Sequence, residues 1–217
     1  MNKKKKPELI RRSYSFQVRA GEDEKGSMIE GRPIVYDSMT DMYWWKEVIE
    51  KGALDETDLT DVRFLVNHDT SKIPLARSRK NNKSSTMQLF PDDEGMGIKV
   101  YLDTENNSEA RNLYSAVQRE DITGMSFMFS VDDEEWEDLE SDMPTRRIKK
   151  ISSVVEVSAV TFPAYEDTEI YARDKSNLER MRQQLESERQ KRAKPLERGT
   201  DYETRTLLMM YGGDRRC

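Results

Sequence analysis

His68 is the only histidine in the 217-residue chain, so chemistry near neutral pH that needs an imidazole must use it. It ends the stretch Val62-Arg-Phe-Leu-Val-Asn-His68-Asp69, an apolar run closed by polar residues. Two later stretches carry groups that could work with it. In Gly124-Met-Ser126-Phe-Met-Phe129 a hydroxyl interrupts an apolar run, and a buried hydroxyl is either satisfied by the backbone or used. In Val154-Val-Glu156-Val-Ser158-Ala-Val160 a carboxylate interrupts a β-forming run, and carboxylates are seldom buried without a partner. Strand alternation equally allows Glu156 to lie on a solvent face with Val154 and Ser158. The chemistry on offer is that of a serine hydrolase, with a hydroxyl nucleophile, an imidazole base and an acid that orients the imidazole. Gly124-Met-Ser126 is no nucleophile elbow, because Met128 stands where Gly-x-Ser-x-Gly needs glycine. Ser130, Ser153 and Ser158 are rival hydroxyls that read more simply as ordinary strand serines. Asp69 is the rival acid, but a neighbour of His68 on an extended backbone points away from the ring.

Composition narrows the alternatives. Cys217 is the only cysteine and the last residue, which leaves no disulfide framework, cysteine-rich zinc site or buried cysteine nucleophile. With one histidine, a metal hydrolase would have only carboxylates to complete its site, so no metal or other cofactor is expected. The basic start Met1-Asn-Lys-Lys-Lys-Lys-Pro7 is followed by no apolar segment, and no run approaches the ~18 residues of a membrane span. A soluble intracellular protein without a membrane partner is expected. A net charge of -6 argues against nucleic acid bound over the whole surface, and no specific nucleic-acid partner is expected. With 35% hydrophobic and 36% charged residues, the core should occupy only part of the chain.

The elements that must position these groups follow from periodicity. Residues 1–11 read as a solvated, disordered basic arm, 12–173 as the folded domain and 174–217 as a charged helical or flexible tail. Within the domain, strands are expected near Arg12–Arg19, Ser27–Tyr36 (with Gly31 a bulge or a close backbone contact), Tyr43–Ile49, Val62–Val66 and after Pro74, with a short helix near Asp55–Asp58. Ser85–Phe90 and Met96–Leu102 form a hairpin about a Pro91–Gly95 turn. Ser108–Glu120 is a helix with Ala110, Leu113, Ala116 and Val117 on one face, capped by Asn107 or Ser108. Met125–Val131 and Ile151–Thr161 are strands, and the acidic run Asp132–Asp142 can pair across a turn with the basic run Arg146–Lys150. Trp44 and Trp45 would face opposite ways, one of them in the core. Eight or more short strands with few helices make the fold mainly β with packed helices (α+β), barrel-like or sandwich-like. In the tail, Ser176–Lys194 is a helix with a thin stripe of Leu178, Met181 and Leu185, suited to loose or partner docking.

Several of these stretches resemble the prohead (procapsid maturation) serine proteases of tailed bacteriophages. They are Lys51-Gly-Ala-Leu54, Leu65-Val-Asn-His-Asp69 with Pro74-Leu-Ala-Arg77, Gly95-Met-Gly97, Ile122-Thr-Gly-Met-Ser-Phe127 and Glu156-Val-Ser-Ala-Val-Thr-Phe-Pro-Ala-Tyr165. Their order and spacing carry the resemblance over residues 13–171. Ala76 stands where the family usually has glycine, and Leu54 where it usually has phenylalanine. The family's histidine, serine and glutamate fall on His68, Ser126 and Glu156. The resemblance implies an endopeptidase inside the immature capsid in the host cytoplasm, cleaving the scaffolding region of the major capsid protein, and often itself. It also implies a distant similarity to the herpesvirus assemblins, hence a β-barrel ringed by helices and a dimer or higher oligomer. The assemblin third member is a second histidine, which this chain lacks, so on that relation a glutamate takes the role. A backbone N–H near the nucleophile, Arg77 or Arg147 are the candidate oxyanion donors. The competing reading is a non-enzymatic capsid assembly or scaffolding protein with a protease-like core. The tail would bind scaffold or be trimmed away.

Overall fold

The computed structural model describes residues 9–14, 18–42, 44–161 and 175–193. Its centre is a long hairpin of β10 (Gly124–Glu137) and β11 (Thr145–Val160), antiparallel from Gly124 opposite Val160 to Glu137 opposite Thr145. At the turn end the oppositely charged runs do pair, Arg147 with Glu137 at 2.6 Å and Lys149 with Glu135. Exposed pairs of this kind contribute only ~0.2–1 kcal/mol each. At the other end Gly124–Ser130 is buried on both faces, which is why that run is mostly apolar, broken only by serines, rather than alternating.

The second edge of β11 is covered in three pieces. β5 (Lys46–Ile49) runs parallel to Thr145–Ile148, and β6 (Asp61–Val66) runs parallel to Glu156–Ala159. Between them lies the segment expected as a short helix near Asp55–Asp58, which is instead a chain of tight turns. Its polar groups are drawn to β11: the Ile151 amide donates to Ala53 O, Thr57 Oγ1 to Ile151 O at 2.7 Å, and the Asp58 amide to Ser152 O at 2.9 Å. Those bonds compete with the i to i+4 ladder and win. β1 (Ile10–Tyr14) lies on the free edge of β10, β4 (Thr40–Asp41) on β5, and β7 (Ala76–Arg79) on β6. β1 starts inside the stretch expected to be a disordered arm, and its Ile10 is buried.

A second sheet has the order β2 (Arg19–Asp23), β3 (Gly26–Val35), β9 (Gly95–Tyr101), β8 (Met87–Asp92). Its β3–β9 ladder slips after Gly31, the bulge expected there. Gly95 opens β9 at φ 139°, and a Cβ on it would lie 2.1 Å from Ile34 O, so only glycine fits this turn. Helix α1 (Ser108–Gln118) buries Ala110, Leu113 and Val117, and Asn107 caps it by accepting from the amides of Glu109 and Ala110. The expected closed barrel does not form among the described residues. No ladder joins the two sheets, which instead bury their apolar faces in one core, Ile29, Ile34, Met96 and Ile98 meeting Phe127, Phe129 and Val157. Four register shifts between Met128 and Glu134 bend β10, as bulges do. Ala76 lies in ordinary strand, outside the positive-φ residues.

Helix α2 (Lys175–Ala193) corrects the expectation of a loose or partner-docked helix. Met181 and Leu185 pack on the same chain, in a smaller core with Met42, Trp45, Trp136 and Leu139. Trp45 is the buried member of the tryptophan pair, and Trp44 packs beside this core under the Arg182 guanidinium. The side chain of Leu178 and the stretch Glu197–Cys217 lie outside what is described. Beside the smaller core sits a buried charged chain. Glu47, wholly buried, accepts from Arg12 Nη2 at 2.7 Å and Arg146 Nη1 at 2.9 Å; Arg146 also holds Glu134, to which Gln184 of α2 donates.

Burial alone pushes the Glu47 carboxyl up, and the guanidinium groups of Arg12 and Arg146 more than reverse this, holding it at about 2. A folded-state value below the ordinary 4.5 means that Glu47 stabilises the fold fully above that pH. The contribution should fall away as pH drops from 4.5 through about 2. Glu47→Ala, which leaves buried guanidiniums without their carboxylate, should cost ~3–5 kcal/mol in urea unfolding at neutral pH. The difference from wild type should shrink at acid pH.

Candidate active site

Glu156 and Ser158, two apart on β11, share one face, and Ser126 stands opposite Ser158 on β10. All three side chains are buried. What covers this face is the turn after β6. Because β6 runs parallel to β11, with Val66 beside Ala159, the chain leaves β6 above the end of β11 and must fold back. Asn67 (φ 52°) and His68 (φ 58°) make that reversal in the left-handed region, which non-glycine residues seldom enter. Asn67 is the clamp: its amide donates to Ala159 O at 2.9 Å, its Nδ2 donates to Thr161 Oγ1 at 3.1 Å, and its Oδ1 accepts from the Thr161 amide at 2.9 Å. The His68 amide then donates to Ser158 Oγ at 3.1 Å.

The reversal lays the imidazole between the two strands. His68 Nδ1 is 2.8 and 3.0 Å from the carboxylate oxygens of Glu156, and Nε2 is 2.5 Å from Ser126 Oγ. A carboxylate only accepts, so Nδ1 carries the hydrogen and the Nε2 lone pair faces the serine hydroxyl. Ser158 Oγ donates to Glu156 Oε1 at 3.1 Å, so the acid has a second donor. Ser126 Oγ also donates to the Arg12 carbonyl at 2.7 Å.

The three residues picked out of the sequence therefore meet; of the rivals, Ser158 stands at the site beside Glu156, and Asp69, Ser130 and Ser153 lie elsewhere. The face of Glu156 is covered rather than solvated, which removes the other reading of its strand alternation. Asp69 accepts from the amide and hydroxyl of Ser71. Ser130 pairs with Ser153 further along the hairpin. The arginines considered as oxyanion donors are engaged in other ion pairs, Arg77 with both oxygens of Asp61 and Arg147 with Glu137. Sequence reasoning missed the positioning residues. Ser158 entered only as a rival nucleophile, and Asn67 only as part of a motif. Its asparagine side chain, which tolerates left-handed backbone and pairs with neighbouring backbone groups, was the available signal.

A hydroxyl, an imidazole and a carboxylate joined in line at hydrogen-bond distance have the geometry that serine-hydrolase chemistry requires. Comparison with known proteins narrows the class to a serine protease: a model of the caudovirus prohead serine proteases matches residues 14–184, and the chain belongs to that family. The prohead protease of Enterobacteria phage HK97 is 29% identical over 173 residues, covering 76% of this chain and 69% of the relative. The solved structure of the bacteriophage T4 capsid assembly protease is a more distant likeness, 13% identical with a TM-score of 0.38, over 72% of this chain and 99% of that one.

Ser158→Ala separates positioning from chemistry. It strips one donor from a buried carboxylate and leaves the His68 amide without its acceptor, an effect of ~1–3 kcal/mol. Peptidase kcat should fall about tenfold to a hundredfold while KM changes little. Loss as complete as that of Ser126→Ala would instead make Ser158 a reacting group.

Proposed function

We propose that this chain is a prohead maturation endopeptidase that cuts the scaffolding region of its phage's major capsid protein, and itself, with Ser126 as nucleophile, His68 as general base and acid, and Glu156 as the orienting acid. The reading rests on the unbroken line of hydrogen bonds from Ser126 Oγ through the imidazole to Glu156, in a chain of the prohead protease family. Ser126 Oγ attacks the scissile carbonyl carbon as His68 Nε2 takes its proton. The tetrahedral intermediate collapses, the C–N bond breaks, and His68 hands the proton to the leaving amine. Water then attacks the acyl-enzyme, giving one proton to His68, and Ser126 regains its hydrogen as the acid product leaves. Throughout, Glu156 holds the Nδ1–H tautomer and stabilises the imidazolium. The proton relay supplies roughly 10²–10⁴ of the rate.

The setting is the interior of the procapsid in the host cytoplasm, with the enzyme acting as a dimer or higher oligomer. Residues 12–173 form the catalytic unit, and the segment 174–217, whose α2 is held on the chain's own core, tethers it to scaffold through the patch Leu207–Tyr211 or is trimmed on maturation.

Incubation of the purified protein with scaffold-bearing capsid protein tests the assignment. Wild type should shorten the substrate, Ser126→Ala and His68→Ala should leave it intact, and Glu156→Gln should slow cleavage by about 10⁴ through the wrong tautomer. Full cleavage by Ser126→Ala would remove the nucleophile. Full cleavage by Glu156→Gln would remove the acid.

A further inference from the structure

Ser126 has no exposed surface, yet a nucleophile has to meet a substrate carbonyl. A peptide that joins the sheet beside Ser126 takes the place of one of the two strands flanking it. β11 carries Glu156 and Ser158 and cannot leave without dismantling the site. The other flank is β1, five residues on the sheet edge, with Ser13 opposite Ser126 and Arg12 opposite Phe127. Residues 10–13 lie ahead of the family match, which starts at residue 14.

Arg12 makes two contacts that a bound peptide would make. Its carbonyl oxygen accepts from Ser126 Oγ at 2.7 Å. The hydroxyl has one hydrogen and two acceptors, this carbonyl and His68 Nε2, so the contact with Arg12 draws off the proton that the base needs. The Arg12 side chain meanwhile enters a buried acidic site, with Nε and Nη2 on the two carboxylate oxygens of Glu47. Without Arg12, Arg146 is the one cation among the described residues that faces both Glu47 and Glu134. That leaves one buried cation for two carboxylates, an imbalance that another guanidinium or ammonium group corrects and a neutral or acidic side chain does not.

On the peptidase reading above, we infer that β1 is an intramolecular occupant of the substrate site. A peptide substrate adds to the edge of β10 at Met125–Phe129 as an antiparallel strand. Glu47 receives a basic side chain from the residue whose carbonyl meets Ser126, and Ile10–Tyr14 must be displaced before this can happen. Cleavage thus follows lysine or arginine.

A reversible staple tests displacement in the full-length chain. Arg11 and Met128 are opposed in the ladder, so Arg11→Cys with Met128→Cys, in a Cys217→Ser background, ties β1 down when oxidised. Cleavage of scaffold-bearing capsid protein should drop at least about tenfold on oxidation and return with reductant. Equal cleavage in both states overturns the displaced strand while leaving the peptidase reading intact. Absence of cleavage in both states, with wild type also inactive and Ser126 unlabelled by a fluorophosphonate, overturns both. A second arm uses wild type directly. The peptide Ile-Arg-Arg-Ser-Tyr should inhibit about tenfold better than Ile-Arg-Ala-Ser-Tyr, a difference that Glu47→Gln should erase. Equal inhibition of wild type by the two peptides overturns the role of Glu47.

Discussion

A carboxylate buried in a β-sheet must be met by donors, and the geometry of the site follows from meeting that demand at Glu156. One donor is Ser158 on the same strand; the other is His68 Nδ1, which has to be brought over the sheet by a separate element. The parallel pairing of β6 with β11 puts the end of β6 within reach, and the left-handed turn at Asn67–His68 swings the ring back. Two non-glycine residues in that region cost about 1–3 kcal/mol each. The bonds of Asn67 to Ala159 and Thr161, at about 0.5–1.5 kcal/mol each, offset much of this. The bond between His68 and Glu156 makes up the rest, because a buried carboxylate left without its partner would cost several kcal/mol more. Ring orientation and tautomer are thus consequences of satisfying Glu156.

The other deeply buried carboxylate, Glu47, is met differently. Its partners are two permanent cations, Arg12 and Arg146, and it is held at about 2. No proton moves there near neutral pH, so this group has no acid–base part in catalysis. It works as a junction instead. Arg12 brings in β1, Arg146 belongs to β11, and Glu134 passes the connection on to Gln184 of α2. Elements from the two ends of the described chain are tied to the hairpin that carries Ser126.

How much of this the sequence discloses depends on whether a signal is local. Ser126 and Glu156 are legible because each interrupts an apolar β run, where a polar group needs a reason. α1 is legible because Ala110, Leu113 and Val117 repeat at helical spacing. The Asn67–His68 turn is not, because no glycine marks it and the force holding it comes from Thr161, just past the end of β11 and 94 residues away in sequence. The turns of 53–58 fail for a similar reason, their hydrogen bonds being claimed by an edge of β11 that no local pattern announces. The thin stripe with Met181 and Leu185 reads as a loose or partner-docked helix, because the receptor on the same chain, Trp45 and Trp136, is set by tertiary structure alone. Arg12 reads as one more basic residue near a basic terminus; only the fold reveals that its charge is buried.

Arg12 also connects the fold with control of the site. If the nucleophile is reachable only when β1 has left the edge of β10, activity is scaled by the fraction of molecules in which it has done so. The hydrogen bonds of a five-residue edge strand set little of that fraction, since most are replaced by water at a net ~1 kcal/mol or less each. The ion pair between Arg12 and Glu47 sets more, because breaking a buried pair leaves a charge uncompensated at a cost of ~3–5 kcal/mol. At 1.4 kcal/mol per factor of ten, that corresponds to suppression of about a hundredfold to several thousandfold. A substrate strand bearing its own cation would remove most of this cost as it enters, whereas one without would leave it in place. The same contact would thereby restrain the enzyme on its own and select the peptide able to release it.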